Sequence, residues 1–131
     1  MPITTDFKLP ASPQNLALSP GEGQSDALFV AFISGDDVNT KQPWCPDVRA
    51  ALPHVKAAFS ADGAPEAALW SVGQRDEWRQ NTNPVRTKWN VHNIPTVVRY
   101  QRVDGKIQET GRLVEGEILN ERKLSALIKG Q

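Results

Sequence analysis

The chain has 131 residues, enough for one domain that buries about two thirds of the surface exposed by its unfolded form, so no disulfide is needed to hold a core. With 39% hydrophobic residues, 23% charged residues and a single Cys, it has neither the composition of a disordered chain nor an intramolecular disulfide. Fifteen Lys plus Arg balance fifteen Asp plus Glu, which withholds the basic surface a nucleic-acid partner requires.

Residues 1–6 lack a basic segment followed by an apolar run, and no later stretch approaches the roughly 20 apolar residues that span a bilayer, so neither export nor membrane anchoring is expected. One unpaired Cys and the lack of any Asn-x-Ser/Thr sequence point to the reducing cytoplasm. Pro10, Pro13 and Pro20, with Gly21 and Gly23, punctuate residues 8–26 against a long helix. Residues 1–26 therefore read as a loop-rich N-terminal arm with a short turn near residues 14–18, ahead of a domain at residues 27–131. Gly21 and Gly23 lack the strand-to-helix context of a phosphate loop and read as a turn.

Residues 27–33 form a continuous apolar run ended by Gly35-Asp36-Asp37, the pattern of a strand buried on both faces. Val48, Leu52, Val55 and Phe59 recur at three-to-four spacing, which predicts an amphipathic helix over residues 46–59, kinked at Pro53. Residues 67–72 predict a second buried strand, stopped by Gly73 and followed by polar turns. Asn83 before Pro84 is a helix start, with Val85 and Trp89 one turn apart. Residues 96–100 and 106–113 predict antiparallel strands joined through Asp104-Gly105. Asn120 caps a last helix whose Leu124, Leu127 and Ile128 form an apolar stripe ending at Lys129 and Gly130. The order implies an α/β fold with a mixed central sheet flanked by helices on both faces.

The chemically distinctive spot is Trp44-Cys45-Pro46-Asp47-Val48, where the loop after the first strand enters the first helix. A Cys at a helix N-terminus sits beside unpaired amides and the positive end of the dipole, which favour thiolate over thiol. The bland alternative, an inert packed thiol, is the commoner fate of a free Cys, but this placement outweighs it.

Trp44-Cys45-Pro46-Asp47, Pro53 and Ile94-Pro95-Thr96 together resemble thioredoxins. More narrowly they are similar to the small cytosolic thioredoxin-related proteins that carry a Trp-Cys-Pro-Asp-Cys motif. The resemblance runs from about Leu28 to the C-terminus and takes in Val72-Gly73, Trp78 and Asn83. It implies a thioredoxin fold in which Cys45 attacks a disulfide, Pro95 is cis and lines the substrate groove, and the Ile94 amide hydrogen-bonds the substrate chain. Trp44 would shield the nucleophile, with Pro46 and Asp47 completing the substrate-contacting set.

This sequence departs from that pattern where it matters most. Val48 replaces the second Cys, and Ala31 stands roughly where larger thioredoxins bury a carboxylate. Without an internal resolving thiol, Cys45 depends on an external one, such as glutathione or a thioredoxin reductase system. The expected partners are protein or low-molecular-weight disulfides, with no cofactor and a monomeric state. The alternative is a non-enzymatic module that binds protein segments or senses oxidation through Cys45.

His54 lies about 13 Å along the helix from Cys45, too far to be its base. His92 reads as a surface residue near the groove. Asp36-Asp37 and Asp76-Glu77 lack the His or Cys company of a metal site and read as turn residues and solvated charges.

Overall fold

The computed structural model describes residues 3–5, 7–16 and 27–130. Five strands form one sheet: β1 (Ile3–Thr4), β2 (Leu28–Ile33), β3 (Glu66–Ser71), β4 (Thr96–Val103) and β5 (Lys106–Val114), in the order β1-β3-β2-β4-β5. β3 runs parallel to both β1 and β2, whereas β4 is antiparallel to β2 and β5. Among the described residues there are four α-helices: α1 (Pro46–Ser60), α2 (Arg75–Arg79), α3 (Pro84–Thr87) and α4 (Glu121–Lys129). This is the expected mixed sheet covered on both faces, with the topology of a thioredoxin fold.

The apolar run of β2 is central because it is buried on both faces. Phe29 and Ala31 face α1 and α4 and pack with Ala51, Val55, Phe59, Leu124 and Leu127. The Phe29 and Phe59 rings lie 5.1 Å apart, and full burial of a side chain such as Phe59 stabilises by about 1.5–3 kcal/mol. Leu28, Val30 and Phe32 project to the opposite face, where Trp78, Val85 and Trp89 cover them.

The β4–β5 turn has Asp104 at φ 52° and Gly105 at φ 82°, both in the left-handed region that a two-residue hairpin of primed type requires. Asn120 caps α4 by accepting from the Arg122 and Lys123 amides, and Gly130 ends it at φ 78°. α1 continues through Pro53.

Four features differ from the sequence reading. The arm contributes β1, an edge strand whose Ile3 pairs with Ala67, and its Phe7, Leu9 and Leu16 pack on the core. Its turn is a single 3-10 turn at Pro13–Asn15; residues 17 and 18, like the turn expected at Gly21 and Gly23, lie outside the described residues. The stretch after β3 is not turns alone but holds α2, whose first turn is closed by Glu77 accepting from the Gln74 amide at 2.9 Å. A 3-10 turn at Glu115–Leu119 joins β5 to α4 and buries Ile118.

Candidate functional site around Cys45

Cys45 is the N-cap of α1 and is half-buried. Its carbonyl accepts from the amides of Val48 and Arg49, both at 3.1 Å, and Pro46 has no amide hydrogen to offer. The Asp47 amide is therefore the first turn's uncommitted donor among the described residues. The Cys45 amide donates to the Ser34 hydroxyl at 3.2 Å. Ser34 is only 1% exposed, so a buried side chain just beyond β2 fixes the backbone of the thiol residue.

Trp44 is held by three contacts. Its amide donates to the Gly35 carbonyl at 3.1 Å, and its indole Nε1 donates to the Gly73 carbonyl at 2.9 Å. The guanidinium of Arg75, at the start of α2, lies 4.7 Å over the ring centroid. The Gly73 carbonyl also accepts from the Gly35 amide at 3.0 Å. Gly73 stands at φ +98°, and a Cβ on it would meet the Glu77 carboxyl at 2.9 Å, so the position needs a glycine.

The loop before Trp44 is a compact turn in which Asp36 bridges to Pro43. The Asp37 carboxylate accepts from the Asn39 and Thr40 amides at 2.8 and 3.1 Å, bonds that hold it below the ordinary carboxylate range. Arg49 donates back to the Pro43 carbonyl at 2.6 Å. Asp36 and Asp37 are thus turn residues, as read.

The Ile94–Pro95 bond is cis, and both residues are buried. The Pro95 carbonyl accepts from the Glu115 amide at 2.7 Å, and the Thr96 hydroxyl donates to Asn93 at 2.6 Å. Thr96 pairs with Phe32 across the β2–β4 ladder; extending that register sets Ile94 opposite Ser34, the residue that takes the Cys45 amide. Ile94 and Val48 belong to one apolar cluster, against which Trp44 and Cys45 pack. Cys45, Trp44, Ile94 and Pro95 are thereby gathered at one end of the sheet, while Pro46 and Asp47 are exposed on the first turn of α1. Val48 is 0% exposed.

His54 lies instead along a groove at the C-terminal end of α1 with Ala57, Ala58 and Ile128. His92 is exposed and contacts Asn90. Among the described residues no group of His, Cys, Asp and Glu is arranged to hold a metal ion. Sequence reasoning missed Ser34, which carries no local signal, and Arg75, which stood in a stretch read as polar turns. Gly73 was read as a strand stop and as part of the resemblance, with no role at the site.

Residues 12–128 match the family described as thioredoxin domain-containing protein 17-like, thioredoxin domain. A thioredoxin domain-containing protein of Schizosaccharomyces pombe is 35% identical over 105 residues, covering 80% of this chain and 85% of that one. Thioredoxin domain-containing protein 17 of Epinephelus coioides is 30% identical over 82 residues, covering 60% and 65%. The thioredoxin-like protein Clot of Arabidopsis thaliana is 29% identical over 114 residues, covering 78% and 84%.

Proposed function

The chain belongs to the thioredoxin domain-containing protein 17-like family, and from that membership we propose that it acts through a single thiol. Cys45 attacks a disulfide or another oxidised thiol, and an external thiol resolves the mixed disulfide. The observation that carries this reading is the pairing of a half-exposed Cys45 at the head of α1 with a fully buried Val48 one turn later.

In the attack, the Cys45 sulfur forms a bond to one substrate sulfur while the substrate's own S–S bond breaks. The leaving thiolate keeps the bonding pair and takes a proton from water. Trp44 covers the thiol, and Pro46 and Asp47 flank the incoming chain. Ile94 and Pro95 line the groove, with the Ile94 amide as donor to the extended substrate. Glutathione or a thioredoxin reductase system then supplies the second thiol. The protein works as a monomer in the reducing cytoplasm, on protein or low-molecular-weight disulfides.

Turnover with glutathione or a thioredoxin system, compared with Cys45→Ser, tests this. Catalytic reduction that disappears in the variant supports it; equal rates for the two proteins reject it. The second reading, a binding module or oxidation sensor, is favoured by Val48 itself, because a chain without a resolving thiol holds its mixed disulfide until another thiol arrives. Stoichiometric adduct formation without turnover selects that reading.

A further inference from the structure

Arg75 places a cation beside the thiol residue's neighbour, and no carboxylate among the described residues pairs with it. Its guanidinium stacks on the Trp44 ring at 4.7 Å, while the same indole is pinned to Gly73 through Nε1. Trp44 is therefore a fixed platform for the cation. Arg75 is exposed, and among the described residues it makes no ion pair. The carboxylate of Glu77 is committed to the Gln74 amide, and Asp76, next in sequence, does not pair with Arg75. The other arginine beside the loop, Arg49, donates to the Pro43 carbonyl. A guanidinium resting over an aromatic ring retains N–H donors for a carboxylate, which it can bind in a bidentate fork.

We infer that Arg75 is a specificity-determining residue that selects disulfide-bearing protein segments with an Asp or Glu next to the reactive Cys. The inference rests on the reading of Cys45 as the attacking thiol and adds the chemistry of its partner. The segment's carboxylate seats on the Arg75 edge above Trp44 as its sulfur meets Cys45. The exchange itself is unchanged: the Cys45 sulfur bonds to the segment's sulfur, the old S–S bond breaks, and the leaving thiolate carries off the electron pair and is protonated by water. Because the charge acts on encounter and docking, it raises the second-order rate and weakens with salt.

Three synthetic peptides test this with the full chain. Each carries one Cys as a mixed disulfide with thionitrobenzoate, flanked by Glu, Gln or Lys, and release of the chromophore is followed at low ionic strength. Wild-type protein should react with the Glu peptide about two to five times faster than with the Gln peptide, and most slowly with the Lys peptide. The Glu-to-Gln ratio should fall to about one in Arg75→Gln and in high salt, and persist in Arg79→Gln, a change on the same helix. Alkylation of Cys45 by neutral iodoacetamide should proceed in Arg75→Gln, showing that the site is intact. A wild-type ratio of one, or an undiminished ratio in Arg75→Gln, overturns the inference alone. Failure of all three peptides to react overturns the reading of Cys45 beneath it.

Discussion

The indole of Trp44 donates to the carbonyl of Gly73 at 2.9 Å, tying the residue before the thiol to the end of β3 across 29 positions of sequence. The same carbonyl takes the Gly35 amide, so one peptide unit positions both ends of the loop that delivers Cys45. Its orientation depends on the left-handed backbone of Gly73.

Gly73→Ala is therefore expected to destabilise the fold by about 1–3 kcal/mol, since a Cβ at this φ is strained whatever room surrounds it. It should also loosen Trp44. Denaturant midpoints measure the first effect, and the second should appear as faster alkylation of Cys45 than in wild type. An unchanged midpoint would mean that the loop re-forms without this carbonyl.

Asn83 joins three pieces around the same loop. Its side-chain oxygen accepts from the Val85 amide at 2.9 Å, and its amide nitrogen donates to Val72 at 3.3 Å and Glu77 at 3.1 Å. Asn83→Ala removes the α3 cap and both ties, and should cost about 1–2 kcal/mol. Asn83→Asp keeps the cap but reverses the polarity at Val72 and Glu77, so it should rescue only part of that loss in thermal unfolding.

Much of this was legible in the sequence, for identifiable reasons. β2 showed itself because burial on both faces leaves an unbroken apolar run, and the hairpin because Asp104-Gly105 suits left-handed backbone. Cys45, Trp44 and Pro95 were singled out by short motifs and a family resemblance, and the fold gathers them at one end of the sheet. α2 was not legible: five residues with Trp78 alone buried are too few for a periodicity. β1 is two residues long, and its ladder exists only because Ala67 and Ala68 lie beside it in space. Ser34 and Gly73 act on the site through a hydroxyl–amide bond and a carbonyl, contacts that residue type alone does not announce.

Tyr100 is the chain's one tyrosine, and its hydroxyl is buried without a hydrogen-bond partner among the described residues. Burial, reinforced by Glu109 and opposed by Arg112, raises its pKa well above the ordinary value near 10. Because the folded value lies above the unfolded one, the neutral phenol's contribution to stability is present below pH 10 and is lost as pH rises toward the folded value. Tyr100→Phe should flatten this alkaline decline in urea titrations. At neutral pH it should be neutral or slightly stabilising, since it removes an unpaired hydroxyl. A loss above 1 kcal/mol at pH 7 would reveal a hydrogen bond at this hydroxyl.

Val48 stands three residues after Cys45, where the motif that this sequence resembles carries its second Cys, and is fully buried. Val48→Cys should cost about 1 kcal/mol in packing and place two sulfurs one helical turn apart. Thiol counting before and after mild oxidation should fall from two to none, and multiple-turnover reduction should appear or rise. A variant that closes the disulfide yet fails to turn over would locate the deficit in partner recognition.

The same lone thiol predicts what the wild-type chain leaves behind in cells. An attacking thiol with no internal resolver should remain joined to its target until an external thiol attacks the mixed disulfide. Mild oxidation followed by rapid alkylation should therefore trap reducible adducts at Cys45 that are absent in Cys45→Ser. If the protein is a catalyst, glutathione should release these adducts on the timescale of turnover; if it is a sensor, they should persist until oxidation ends. No adducts under any oxidant dose would remove both readings. Retention of non-covalent partners by Cys45→Ser would then assign function to the surface around Trp44, with Cys45 left without a chemical role.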